Sequence, residues 1–550
     1  MTFRSPRCAW SDAIDRLFAH YDKSGSPGLN LAVLKSGEII HQRGYGRASI
    51  EHDIAFAGNT ILRIGSTTKH MCATALLCLE NAGRLRLDDD VRTYLPEIPD
   101  YGAPISLRHL ATMTSGMPDG LNLILFSGLD LHSGVSQARI FEMQQRLRTL
   151  MFAPGEGWSY SNTNYALLSL VIERVSGQSL ADFMRDNLFA PLGMRDTSLS
   201  PWGVEALPHK AAGYVRDASG DYRLASMMTE TSGDGGVQST LDDMIAWYRN
   251  YRADALFGPD YRARLETEAI LANGEPTGYG LGVAIGAYRG VRRIGHGGGM
   301  PGYMCDFVHF PDEDFGVVLL ANVTDKTLKQ SADRIADIVL FGEHESATPR
   351  DPRIVNPADA PRAAPGFYVG DQSGEIIELK AHDDQLFCYR LGEGWPLTRI
   401  DDETFAPTTR EAVQAISFTR ANACALRLIG RTPIAMTHTE LRDCDLETAE
   451  KLPGCYYARD LGEFFHILRD AEGPYLQTAN PLRPLYWRRF KQIAPDLLLC
   501  LVDGEPSATN VVVRIIRDGA RISAMDFSIS RVSDIRFERL ETPPPLGDGQ

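Results

Sequence analysis

Residues 64–83 read IGSTTKHMCATALLCLENAG, and this stretch decides the fold. Apolar residues at Met71, Cys72, Ala75, Leu76 and Leu79 recur at intervals of three and four, which predicts a helix with Ser66 at its start. Three residues is nearly one helical turn, so Ser66 and Lys69 share a face and the amine can reach the hydroxyl. The helix N-terminus adds backbone N–H groups and a partial positive charge beside the serine, a setting that suits an activated nucleophile. Taken alone, SxxK reads more simply as a capping serine followed by a solvated lysine. Reading back three places from each lysine, however, finds a serine only before Lys69.

Two further segments give that pair company. Residues 152–162, FAPGEGWSYSN, precede a second helical pattern, so Tyr160 and Asn162 are expected on a turn just outside it. Alternate residues of extended chain point the same way, and a phenol beside an amide suits a proton shuttle and a hydrogen-bond donor to a substrate carbonyl. A packed tyrosine followed by an N-capping asparagine fits the same text equally well. The third segment, GHGGGMPG at 295–302, stands directly before a strand pattern. Its glycines suggest close backbone approach, and a histidine whose neighbours lack side chains is hard to explain by packing.

Around these segments the chain reads as α+β. LNLAVLKSGEIIHQRGYG, residues 29–46, is a hairpin with apolar runs on both sides of Lys35-Ser36-Gly37. YMCDFVHF and FGVVLLAN, at 303–310 and 315–322, form a later strand pair, and the segment after them has helical spacing. Sheet strands are thus expected from both ends of this region, with a helical middle from Ser66 to about Tyr251.

Residues 343–366, EHESATPRDPRIVNPADAPRAAPG, hold five prolines and many charges and read as a linker. Beyond it come short alternating runs such as EIIELK, QLFCYR and FFHIL, the pattern of antiparallel sheet. Pro365-Gly366-Phe367-Tyr368 recurs as Pro453-Gly454-Cys455-Tyr456, and Gly374-Glu375 as Gly462-Glu463, both 88 residues on. A shared offset predicts two similar barrel-like units. The expected division is 1–345, 346–448 and 449–550.

Composition narrows the function. A chain of 550 residues is too long for one core, and 43% hydrophobic residues mark it as folded. A net charge of -15 disfavours nucleic acid and anionic membrane surfaces. No apolar run approaches the roughly 18 residues of a membrane span, and Asp12 and Asp15 interrupt the start where a signal peptide needs an apolar core, so a cytoplasmic protein is expected. The nine cysteines form no CxxC pair and read as free thiols. No metal or organic cofactor is expected, because neither ligand spacing nor a phosphate-binding glycine fingerprint is present.

In the order SxxK, YxN and HxG, the three segments resemble the penicillin-recognising serine hydrolases related to class C β-lactamases and DD-peptidases. Leu107-Arg108-His109-Leu110, Pro191-Leu192-Gly193-Met194 and Gly235-Gly236-Val237-Gln238 are similar to that family's text as well. His-Gly-Gly as the third motif and two C-terminal β-units look most like the D-stereospecific aminopeptidases. Lys35-Ser36-Gly37 imitates a KTG motif but precedes the nucleophile.

The resemblance implies a serine β-lactamase-like catalytic domain, an antiparallel sheet flanked by helices plus a helical region, followed by two antiparallel β-barrel-like domains. It implies Ser66 as nucleophile, Lys69 and Tyr160 as managers of its proton, Asn162 as the group orienting the substrate amide, and His296 on the facing strand. The N–H groups of Ser66 and Gly299 would hold the oxyanion, with Gly297 and Gly298 lining the substrate site. A neutral imidazole at His296 gives up the permanent charge that would attract a substrate carboxylate. Asp503 or Glu505, on a loop of the last β-unit, would meet a substrate ammonium, although an ordinary hairpin tip explains that loop equally well. The expected activity is removal of N-terminal D-residues from short peptides or amides. An esterase or amidase on the same scaffold and a non-catalytic binding protein are the alternatives. The expected partner is a small peptide, amide or ester substrate, and the sequence leaves monomer or homodimer open.

Overall fold

A computed structural model of the chain describes residues 9–126, 134–217, 219–254, 256–258, 260–342, 364–370, 375–382, 385–390, 393–401, 403–407, 413–420, 423–478, 488–502, 511–529 and 531–541. Strands β1 (Leu29–Lys35), β2 (Glu38–Tyr45), β3 (Ala284–Tyr288), β4 (Val291–Met300), β5 (Tyr303–Phe310) and β6 (Phe315–Ala321) form one sheet in the order β3-β4-β5-β6-β1-β2. Every neighbouring pair is antiparallel. The strands predicted from both ends of the region thus meet at the β6–β1 pair. The β1–β2 turn places Ser36 at φ 53° and Gly37 at φ 81°, the two left-handed residues that a two-residue hairpin loop demands.

The period of two along β1 decides which side chain enters which core. Leu29, Leu31 and Val33 pack with helices α1 (Ala9–Leu17) and α6 (Ser331–Val339), while Ala32 and Leu34 join the helical region on the other face. That region is built on α2 (Thr68–Asn81), apolar nearly all round and buried at eleven positions, including Lys69. It packs against α5 (Asn162–Ser176).

The C-terminal part holds two closed antiparallel barrels. The first runs from Gly366–Gly370 to Ile434–Thr439 in eight strands, and its first and last strands pair. The second closes eight strands between Gly454–Ala458 and Val532–Arg539, with the short strand Arg442–Asp443 added to its Arg488–Ala494 strand. The 88-residue repeat has a physical basis: Tyr368 donates to the Ala364 carbonyl at 2.9 Å and Tyr456 to the Leu452 carbonyl at 2.8 Å, each phenol anchoring its barrel's first strand to the chain four residues earlier. The proline-rich segment at 343–363 lies outside the described residues.

The second barrel does not stand apart. Its core continues into Leu123, Ile124, Ile140 and Met143 of α3 (Gly120–Phe126) and α4 (Gln137–Arg146), so a helical pair from the first part is docked on a barrel from the last. Each such side chain contributes about 1.5–3 kcal/mol when fully buried. The two barrels also meet, Ile376 of the first packing with Ile493, Leu497 and Leu499 of the second.

Candidate active site

Ser66 sits on a 3-10 turn, Gly65–Thr67, that leads into α2. Gly65 has φ +52°, and a Cβ there would fall 2.7 Å from the Gly299 nitrogen; a Cβ on Gly298 would overlap the Ile64 carbonyl. Backbone therefore meets backbone between the serine turn and β4, and only glycine permits that approach. Thr67 Oγ1 locks the contact by donating to the His296 carbonyl at 3.1 Å.

Lys69 is fully buried, and its Nζ donates to Ser66 Oγ at 3.1 Å, Asn162 Oδ1 at 2.8 Å and the Asp234 carbonyl at 2.6 Å. The ring centroids of Tyr160 and Tyr165 lie 4.8 and 5.7 Å from the same nitrogen. A buried ammonium needs such compensation: three acceptors match its three donors, and the rings add cation–π attraction. The carboxyl of Asp234 is pushed up by burial, against the opposing pull of Lys69.

Asn162 is the first residue of α5 and not a residue outside it, because Ser161 takes the N-cap position. Its backbone N–H is claimed by Asp119 Oδ2 at 2.5 Å, and its Nδ2 donates to the same oxygen at 2.9 Å. A carboxylate from a distant turn thus caps the helix and fixes the amide so that its oxygen faces Lys69. Asp119 is fully buried, and its own N–H donates to the Arg531 carbonyl at 3.1 Å, on the second barrel. The Arg531 guanidinium lies 4.6 Å from the Tyr160 ring centroid.

His296 projects from β4 toward Tyr160, ring centroids 6.0 Å apart. Its Nδ1 is 2.6 Å from the Gly297 carbonyl and its Nε2 is 2.9 Å from the Tyr279 hydroxyl. A carbonyl can only accept, so Nδ1 carries the proton and Nε2 accepts from the phenol. Burial, and after it the charge of Lys69, depress the imidazole to about 3, so it is neutral near pH 7.

These groups line one cavity of about 830 Å³, which takes in Ser66, Tyr160, Asn162, His296 and Gly297 to Gly299, with Tyr279 and Arg531 beside them and Thr398 and Gln414 from the first barrel. The residues predicted from three separated segments are therefore brought together. Asp503 and Glu505 lie outside the described residues. Sequence reasoning missed Asp119, Tyr279 and Arg531. Tyr279, between Gly278 and Gly280, carried a weak signal of the kind used for His296, whereas Asp119 and Arg531 carried none beyond an ordinary turn. Among the described residues no group of three or more His, Cys, Asp or Glu side chains could hold a metal ion, and no helix is long and apolar enough to cross a membrane.

The Beta-lactamase family model matches residues 14–340. Penicillin-binding protein 4* of Bacillus subtilis is 30% identical over 390 residues, covering 65% of this chain and 83% of its own. A D-aminopeptidase of Gluconobacter oxydans is 30% identical over 401 residues, covering 71% of this chain and 73% of its own. The solved structure of SurE shares the fold with a TM-score of 0.53 at 20% identity, over 97% of this chain and 99% of that one.

Proposed function

The chain belongs to the β-lactamase family of serine hydrolases, and on that premise we propose that it removes N-terminal D-residues from short peptides or amides through an acyl-enzyme. The observation that carries the reading is the fully buried Lys69 amine hydrogen-bonded to Ser66 Oγ at 3.1 Å.

Ser66 Oγ attacks the substrate carbonyl, and its proton is relayed through the Tyr160 hydroxyl to the leaving nitrogen while the Lys69 N–H donated to Ser66 Oγ stabilises the charge that develops on that oxygen. The developing oxyanion is held by the N–H groups of Ser66 and Gly299; preorganised donors of this kind contribute about 3 kcal/mol each. The C–N bond breaks, the amine departs with the proton, and water then cleaves the acyl-serine by the reverse relay. Asn162 and Asp119 hold Lys69 in place for both halves. The D-residue preference is supported by the relatives at about 30% identity that are D-aminopeptidases. The neutral His296 agrees with it, since no permanent charge at the third motif draws in a carboxylate.

The test is hydrolysis of D-alanine amide, L-alanine amide and a short-chain nitrophenyl ester by wild type and Ser66→Ala. The D-amide is expected to be the best substrate, with activity falling at least about 1,000-fold in the variant. A preference for the ester would replace the peptidase reading by an esterase. A serine-reactive phosphonate that leaves no mass adduct on Ser66 would replace both by a binding protein.

A further inference from the structure

We propose that Tyr279 is a positioning residue for the third motif: by occupying His296 Nε2 it fixes the imidazole as an uncharged ring with both nitrogens satisfied, so that this strand meets the substrate through its backbone alone. The proposal rests on the aminopeptidase reading and deepens it, because an uncharged ring leaves the space beside Lys69 to a substrate that carries its own ammonium.

The backbone around Tyr279 is pinned on both sides. The Gly278 N–H donates to Glu268 Oε2 at 2.7 Å, the Tyr279 N–H to Thr277 Oγ1 at 3.2 Å, and the Tyr279 carbonyl accepts from the Ala269 N–H at 3.1 Å. A Cβ on Gly280 would overlap the Leu265 carbonyl, so only glycine lets the chain pass here. The phenol is thereby delivered to one place. It is buried there, edge-on to His296 with ring centroids 5.8 Å apart and edge-on to Tyr160 at 6.4 Å, and it lines the cavity of Ser66.

That phenol completes the imidazole. Nδ1 is spent on the Gly297 carbonyl at 2.6 Å and Nε2 on the Tyr279 hydroxyl at 2.9 Å. The opposite tautomer would set a nitrogen lone pair against the Gly297 oxygen and lose a buried hydrogen bond. Burial holds the phenol well above the usual tyrosine range, so it remains a donor through and beyond neutral pH. The backbone of His296 is anchored as well, its carbonyl accepting from Thr67 Oγ1 at 3.1 Å on the turn that carries Ser66. Ring and carbonyl are both held, on the strand that carries the Gly299 N–H.

The titratable groups around this pair are Lys69 and His70 from α2, Tyr165 from α5 and Tyr160 from the turn before it, with Asp234 and Arg531 lining the same cavity. Among the described residues no carboxylate bonds to the His296 ring, so an imidazolium would be a second cation beside Lys69. A hydrogen bond donated to the neutral ring disfavours that charge, and its loss favours it.

The test measures kcat and KM from about pH 4 to about pH 8 for D-alanine amide and a short-chain nitrophenyl ester, with fluorescence reporting the fold at each pH. It uses wild type, Tyr279→Phe, His296→Leu and the double variant. Tyr279→Phe is expected to lose about 10-fold in kcat/KM at neutral pH. It should also show an ionisation about one to two pH units above that of the wild-type ring, with the KM of the amide rising as pH falls. In the His296→Leu background the same substitution should cost less than about twofold, since no Nε2 is left to satisfy. A wild-type profile for Tyr279→Phe, or an equal loss with and without His296, would overturn the proposal and leave Tyr279 as packing. If His296→Leu is inactive the profile of Tyr279→Phe decides, and if the variants unfold in acid the neutral-pH cycle decides. If the amide is inert and the ester turns over, the aminopeptidase reading fails while the ester data still decide for or against Tyr279. If neither turns over, the rate at which a serine-reactive phosphonate labels Ser66 replaces kcat/KM in the same cycle, and no labelling of wild type would overturn both readings.

Discussion

The two C-terminal barrels share strand number, closure and the buried tyrosine that starts each ring, yet they meet the cavity in different ways. The first touches it as a wall. Its Gly430 donates to Glu275 Oε2 at 2.8 Å and packs on the Glu156 carbonyl, while Thr398 and Gln414 line the space. The second is built into the network, since it shares a core with α3 and α4 and joins Arg531 to Asp119. Duplicated architecture has thus been put to unequal use: what a barrel does here depends on which loop it presents and what lies beneath that loop.

Acid should sharpen the contrast most. Burial pushes His70 and His296 down to about 3 and His309 down to about 4. Unfolded chain protonates these imidazoles below about 6.5, whereas the folded catalytic region does not until pH 3 to 4, so the stability they supply is complete above pH 6.5 and lost as pH falls below it. Asp306, raised to about 7 by burial, gains stability over the same descent and offsets about one histidine. The net loss is on the order of several kcal/mol. Calorimetry at pH 7 and pH 4.5 should show the catalytic region and the second barrel losing stability together, while the first barrel keeps its own transition. A first barrel that shifts equally would break the comparison.

The connecting residues come next. Asp119→Ala removes the acceptor for both N–H groups of Asn162 and should lower kcat on the order of 100-fold, an effect of the size seen when one preorganised catalytic hydrogen bond is lost. Asp119→Asn, which keeps one acceptor oxygen, should recover part of it. At the first barrel, Glu275→Ala removes the Gly430 contact and should change kcat by less than about threefold, since no reacting group depends on it. Steady-state kinetics on the best substrate of the panel compares the two, and equal losses would erase the distinction between wall and network.

The smallest effect tests what the barrels share. Tyr368→Phe and Tyr456→Phe each delete one buried phenol hydrogen bond and leave a carbonyl behind, a cost of about 1 kcal/mol in either barrel. Urea midpoints for the two variants should shift alike. A much larger shift for Tyr456→Phe would mean that its barrel bears load for α3 and α4 through that strand.

Much of this is legible in the sequence alone. Ser66 and Lys69 are three apart on one helix, so local periodicity alone places the amine at the hydroxyl. The glycines of β4 announce a close approach because few other needs explain so many, and the alternation of β1 and of the barrel strands follows from side chains pointing to opposite faces. Asn162 lies inside α5 where its sequence places it just outside, since the boundary of that helix depends on a carboxylate that caps it from elsewhere.

By itself, the order of residues determined everything governed by neighbours within a turn or a strand: which segments are helices and hairpins, which serine has a lysine beside it, and that two β-units repeat. Only the tertiary structure decided which turn faces which. Asp119 is an unremarked acid in a loop until α5 is laid across it, and Arg531 is a hairpin tip until the second barrel takes α3 and α4 into its core. The reason is that hydrogen bonds and charges act over a few ångströms of space, whatever the number of residues between their ends, and packing is what brings those ends together.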